Sequence, residues 1–174
     1  MTEPRNQPPI VHVLLVVSVC VLPSCQSRRP IVLTNWLTCG ECTDGQLDAL
    51  KRLEPVPYAE LTEALLTGPP AATMSQFEDR LTQHHQTLTE EAEPDHRLRS
   101  QESLYVARYS GNLRRLYRLR AAEGLSHIGG AEAKEALELG YCAEKTREGR
   151  EQLVLDVIES ALGRLGAKSP EKCL

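Results

Sequence analysis

Cys39-Gly40-Glu41-Cys42 is the spacing best suited to chemistry in this chain of 174 residues and six cysteines. Two sulfurs three residues apart can close a disulfide, cycle as a thiol redox pair, supply half of a zinc site or hold a haem. A thioredoxin-type pair needs its first sulfur at a helix N-terminus within a βαβ unit, and no βαβ pattern surrounds this one. Covalent haem attachment needs His directly after the second cysteine, where this chain has Thr43. Zinc would require Cys39 and Cys42 to recruit Cys142, Cys173 or a histidine, and only one Cys-x-x-Cys is present. The leading reading is a structural disulfide between Cys39 and Cys42, with a metal-binding or thiol-redox role as the alternative. Cys142 and Cys173 then form the remaining pair, which requires the tail from Ala167 to fold back.

The other titratable residues give weaker patterns. His84, His85, His96 and His127 contain no i, i+4 pair on one helix, so they are expected at core edges or in solvent, not on a metal. Arg108, Arg115 and Arg118 share one helical face, flanked by Arg114 and Arg120. They read as a charged outer face partnered by Glu102 and Glu123, and as the candidate interaction surface. No nucleophile, base and orienting group occur together, so neither catalytic residues nor a cofactor is expected. A formal net charge of −4 gives the whole domain no reason to bind nucleic acid.

The elements that position these residues begin with a leader. Ile10 to Leu22 is almost wholly apolar, suits the roughly 7–15 residues of a signal core, and is shorter than the ~20 needed to span a bilayer. Leu22-Pro23-Ser24-Cys25 behind it resembles the lipobox of bacterial lipoproteins. That resemblance implies a signal peptide over 1–24, lipidation of Cys25 and a membrane attachment through the lipid. With Gln26 next, the same analogy favours the periplasmic side of the outer membrane; the alternative is an ordinary cleaved signal with an incidental cysteine, which would leave the protein periplasmic or secreted. Residues 25–30 read as a tether carrying Arg28 and Arg29 near the headgroups, and residues 31–174 as one domain. At 4% aromatic residues the core must be built from Leu and Ala, which is helix chemistry.

Along that domain the apolar period is helical throughout. Residues 31–37 read as an extended segment or short helix in which Trp36, the single tryptophan, anchors the tether to the first helices. Thr43 and Gln46 have capping-box spacing, predicting a helix over 44–53 with Leu47, Leu50 and Leu53 inward. A second helix is expected over 58–67, bounded by Pro55, Pro57 and Gly68-Pro69-Pro70, to make an antiparallel hairpin with the first. Met74, Phe77, Leu81, His84 and Leu88 form one stripe of a long helix over 73–93. A further long helix over 100–129, with Val106, Tyr109, Leu113, Leu116 and Leu119 inward and a bend at Ser110-Gly111, would pair with it.

Leu125, Ile128 and Gly129 recur as Leu162, Leu165 and Gly166, each 37 residues on, which is about the period of a two-helix repeat. The stretch Arg120-Ala-Ala-Glu-Gly-Leu-Ser-His-Ile-Gly-Gly-Ala-Glu-Ala-Lys-Glu-Ala-Leu137 resembles the HEAT-like repeats named after phycobilisome lyases. The front stretch with Trp36, Cys39, Cys42 and Asp44-Gly45-Gln46-Leu47 is similar to the opening of exported bacterial HEAT-repeat proteins. The resemblance implies an all-α stack of helical hairpins, here interrupted by a long hairpin, with Val154 to Gly166 as the C-terminal cap. It also implies a surface for envelope protein partners, and no reaction.

Overall fold

A computed structural model describes residues 28–91 and 101–173. Cys25, the leader and residues 25–27 of the expected tether lie outside the described residues, as does the end of the helix expected to reach Glu93. Among the described residues every regular element is an α-helix. They are α1 (Arg28–Thr38), α2 (Asp44–Lys51), α3 (Tyr58–Thr67), α4 (Ala71–Glu91), α5 (Glu102–Ile128), α6 (Gly130–Thr146) and α7 (Gln152–Arg164).

Local chemistry explains most boundaries. The Thr43 hydroxyl accepts from the Gln46 N–H and the Gln46 side chain accepts from the Thr43 N–H, closing the capping box at α2. α3 runs from behind Pro57 to Gly68, whose φ of 79° ends it. The two copies of the repeated glycine behave differently. Gly166, at φ 69°, closes a Schellman turn in which the Ala167 N–H donates to Leu162 and the Gly166 N–H to Gly163. Gly129 and Gly130, at φ 76° and 90°, pass the chain straight from α5 into α6.

α5 is packed against each of the other six helices. Its first half pairs with α4 as a long hairpin, its second half meets α2 at Gly124, and α3 and α6, which both pack on it, also pack on each other. Three elements depart from expectation. The segment around Trp36 is a helix that starts at Arg28, three residues inside the expected tether. Arg29 does not face outward: it pairs with Glu60 at 2.5 Å and donates to the Pro55 carbonyl. α2 and α3 do not pack side by side: α2 lies against α1 and α5, and α3 against α5 and α6, with Leu50 and Leu61 converging on Gly124 of α5.

The centrality of α5 also changes which of its residues are buried. Ser110, Tyr117, Arg118, Ala121, Ala122, Gly124, Leu125 and Ser126 are buried, whereas Tyr109 is 41% exposed and Val106, Leu113, Leu116 and Leu119 are half-buried. α5 runs as one helix through Ser110 and Gly111. A helix enclosed on several sides needs small residues where neighbours cross it. A Cβ on Gly124 would sit 2.7 Å from Trp36 Nε1, and one on Gly140 of α6 would meet Leu65 of α3. On α4 it is His85, not His84, that takes the buried position, while exposed His84 exchanges a 2.8 Å hydrogen bond with the Tyr105 hydroxyl.

Candidate functional site

Cys39 follows the last residue of α1, and Cys42 precedes the capping residue of α2, so the pair spans the corner between them. Their sulfurs are at disulfide distance, with Cα atoms 5.4 Å apart. Arg120 of α5 holds this corner: its Nε donates to the Cys39 carbonyl at 2.9 Å, a terminal nitrogen donates to the Gly40 carbonyl, and the other pairs with Glu123 at 2.5 Å. Those carbonyls lie just past the C-terminus of α1, where the helix dipole is negative and a guanidinium is favourably placed. Trp36 closes the same corner from below. It is 3% exposed and its indole N–H donates to the Arg120 carbonyl at 2.8 Å. A thiolate on Cys39 would sit at the unfavourable end of α1, the reverse of the helix N-terminal placement that activates redox cysteines.

Cys142 on α6 and Cys173 in the tail are likewise at disulfide distance, with Cα atoms 5.2 Å apart. The Schellman turn at Gly166 reverses the chain after α7 and sends the tail back to α6. Among the described residues no group of three His, Cys, Asp or Glu side chains is arranged to hold a metal ion, and no helix is long and apolar enough to cross a membrane.

The arginines expected on one outer face are separated. Arg108 is exposed, and half-exposed Arg115 pairs with Glu151. Arg118 is 6% exposed and is a correction to the interaction-surface reading. It ion-pairs with Glu144 of α6, which is fully buried, and its Nε donates to the Leu65 carbonyl at 3.2 Å. Glu144 also pairs with Arg147 at 3.2 Å and accepts the Glu151 N–H at 2.5 Å, while Arg147 donates to the Leu66 carbonyl at 2.6 Å. Burial lowers the Arg118 pKa to about 10, with the Arg147 charge acting in the same direction and Glu151 opposing. The network ties α3, α5, α6 and the start of α7 together where Leu65 and Leu66 expose carbonyls near the end of α3. Its hub, Glu144, gave no sequence signal beyond an acid on the buried face of α6 with Ala133, Ala136, Leu137, Gly140 and Tyr141.

Two concavities flank α3. The smaller, about 230 Å³, lies between α1 and α3 above Leu33, Leu37, Ala64 and Tyr117. Burial raises the pKa of the Tyr117 hydroxyl there, against a hydrogen bond with Thr73 that lowers it. The larger, about 740 Å³, is an open groove between α3 and α6. Val56, Tyr58, Ala59, Leu66, Ala136 and Leu139 supply its apolar lining, and Glu63, Glu132 and Glu135 its charge. The sequence signal for it was Leu139, an aliphatic residue off the buried face of α6. Compared with known proteins, the chain matches no family model, no curated protein and no solved structure.

Proposed function

We propose that this chain is a non-enzymatic interaction module of the bacterial cell envelope, a short HEAT-like stack exported by its leader and held at a membrane by lipid on Cys25. The observation that carries the interaction role is the open α3–α6 groove, with Val56 39% and Leu139 53% exposed beside it. Aliphatic side chains left in water along a groove between packed helices mark a place where a further element can dock. Export is supported by two cysteine pairs at disulfide distance, a pattern of oxidising compartments. The packing of α3 on α6, and of α7 on both α5 and α6, is compatible with stacked hairpins.

Two measurements test the reading. The intact mass of the processed protein should equal the chain from Cys25 plus lipid, and Cys25→Ala should abolish membrane fractionation. Crosslinking in envelope extracts should yield a reproducible protein partner. A protein that comes down alone while turning over a small substrate refutes it.

A further inference from the structure

The α3–α6 groove has a composition that specifies what would fill it. On α6, Glu132, Glu135 and Leu139 follow one another at i, i+3 and i+7, and on α3 Ala59, Glu63 and Leu66 at i, i+4 and i+7, so two matched helical ridges border the trough. Its lining holds three carboxylates, Glu63, Glu132 and Glu135, and no lysine or arginine. Among the described residues none of the three has an ion pair, in contrast to Glu60, Glu123, Glu144 and Glu151 nearby. Arg147 approaches from one side, but its guanidinium is committed to Glu144 and to the Leu66 carbonyl.

From this we infer that the groove docks a basic amphipathic helix of a protein partner. Its aliphatic side chains cover Val56, Leu66 and Leu139, and its lysines or arginines face Glu63, Glu132 and Glu135. The inference rests on the interaction-module reading and adds the chemistry of the partner. A helix fits because the trough between two packed helices accepts the ridge of a third, and because no strand among the described residues offers a sheet edge to an extended peptide. α3, ten residues long, spans about 15 Å, so the docked segment is roughly three turns. The carboxylates repel anionic headgroups, which favours a protein over a membrane surface as occupant.

The probe is a fluorescent peptide of roughly 14 residues with leucines at i, i+3, i+4 and i+7 and lysines elsewhere. A scrambled peptide of the same composition and a Glu-for-Lys version serve as controls, and anisotropy is read on the full-length oxidised protein. The amphipathic lysine peptide should bind at least about tenfold more tightly than either control, and more weakly as salt rises. Leu139→Glu, and separately the pair Glu132→Lys with Glu135→Lys, should each weaken binding by about tenfold or more. Their circular dichroism should not change, and Glu90→Lys with Glu91→Lys on exposed α4 should leave binding intact. Binding by the scrambled peptide at equal strength, groove variants that bind like wild type, no binding at all, or a dimer that Leu139→Glu dissociates would each overturn the inference. The two proposals fail separately. Envelope partners retained by both groove variants sink the groove alone, whereas no envelope partner for the wild-type protein sinks the module.

Discussion

Replacing Glu144 with Gln should unfold more of this protein than any other single substitution in its ion-pair network. The Glu144 side chain is fully buried and its carboxylate faces both Arg118, itself 7% exposed at the side chain, and Arg147. The amide can still accept the Glu151 N–H, but it leaves two guanidinium charges turned toward a neutral group. Breaking a buried pair from one side costs about 3–5 kcal/mol, because the stranded charge keeps its desolvation penalty. Arg118→Met is the informative contrast: Glu144 retains Arg147 and the Glu151 N–H, so the loss should be about 1–3 kcal/mol. Arg147→Met, at a side chain 38% exposed, should cost under ~1 kcal/mol. Urea titration followed by Trp36 fluorescence reads all three, since the single tryptophan is buried against α5. With a slope of about 2 kcal/mol per molar, Glu144→Gln should lower the midpoint by roughly 1.5–2.5 M. A shift no larger than that of Arg147→Met, or one equalled by Arg118→Met, would refute the assignment of Glu144 as the hub.

Three further predictions are independent of that network. The Cys142–Cys173 link closes a span of 31 residues and the Cys39–Cys42 link a span of 3; chain entropy assigns them about 3.7 and about 1.6 kcal/mol. Removing the first by paired Cys→Ala substitution should therefore lower the urea midpoint about twice as far, and an equal loss would contradict it. Gly124→Ala would gain about 1 kcal/mol from helix propensity alone, yet its Cβ would press on Trp36 Nε1. We expect a net loss of about 1–3 kcal/mol in thermal unfolding, and a stabilised variant would contradict the close approach. The His127 pKa is lowered by burial, then by Arg164 and Lys51, against Glu123, which raises it. Below its ordinary value the unfolded chain then binds the proton more readily than the folded one, so stability falls as pH drops through and below about 6.5. His127→Gln should flatten that dependence, and an NMR titration placing His127 at or above the ordinary value would refute it.

Helix positions were legible in the sequence because their signals are local. The Thr43–Gln46 capping box, the prolines before Tyr58, Gly68, and the glycines at 129 and 166 act over one turn, and α3 spans the expected 58–67. Inward faces were legible for the helices outside the centre: Leu50 of the α2 stripe is buried, with Leu47 and Leu53 packed against the core, and Met74 and Leu81 of the α4 stripe are buried. α5 misled the periodicity, since an enclosed helix selects for small residues, and for a charged one that finds an ion-pair partner, more than for a single leucine stripe. Arg118 illustrates this. Its neighbours in sequence are those of a solvent-facing basic cluster, and only Glu144, 26 positions away on α6, accounts for its burial.

Composition and helical spacing, which require no knowledge of neighbours, were enough for the all-helical class and for which cysteines are available to pair. What Cys39 and Cys42 are part of is set by the packed helices. They sit in a corner closed by Trp36 beneath and held by Arg120 from a helix some 80 residues on. The packing also decides where the free surface lies. Which carboxylates are spent on internal arginines, and which are left along the α3–α6 groove, depends on how helices cross, and a crossing is a property of two distant segments at once.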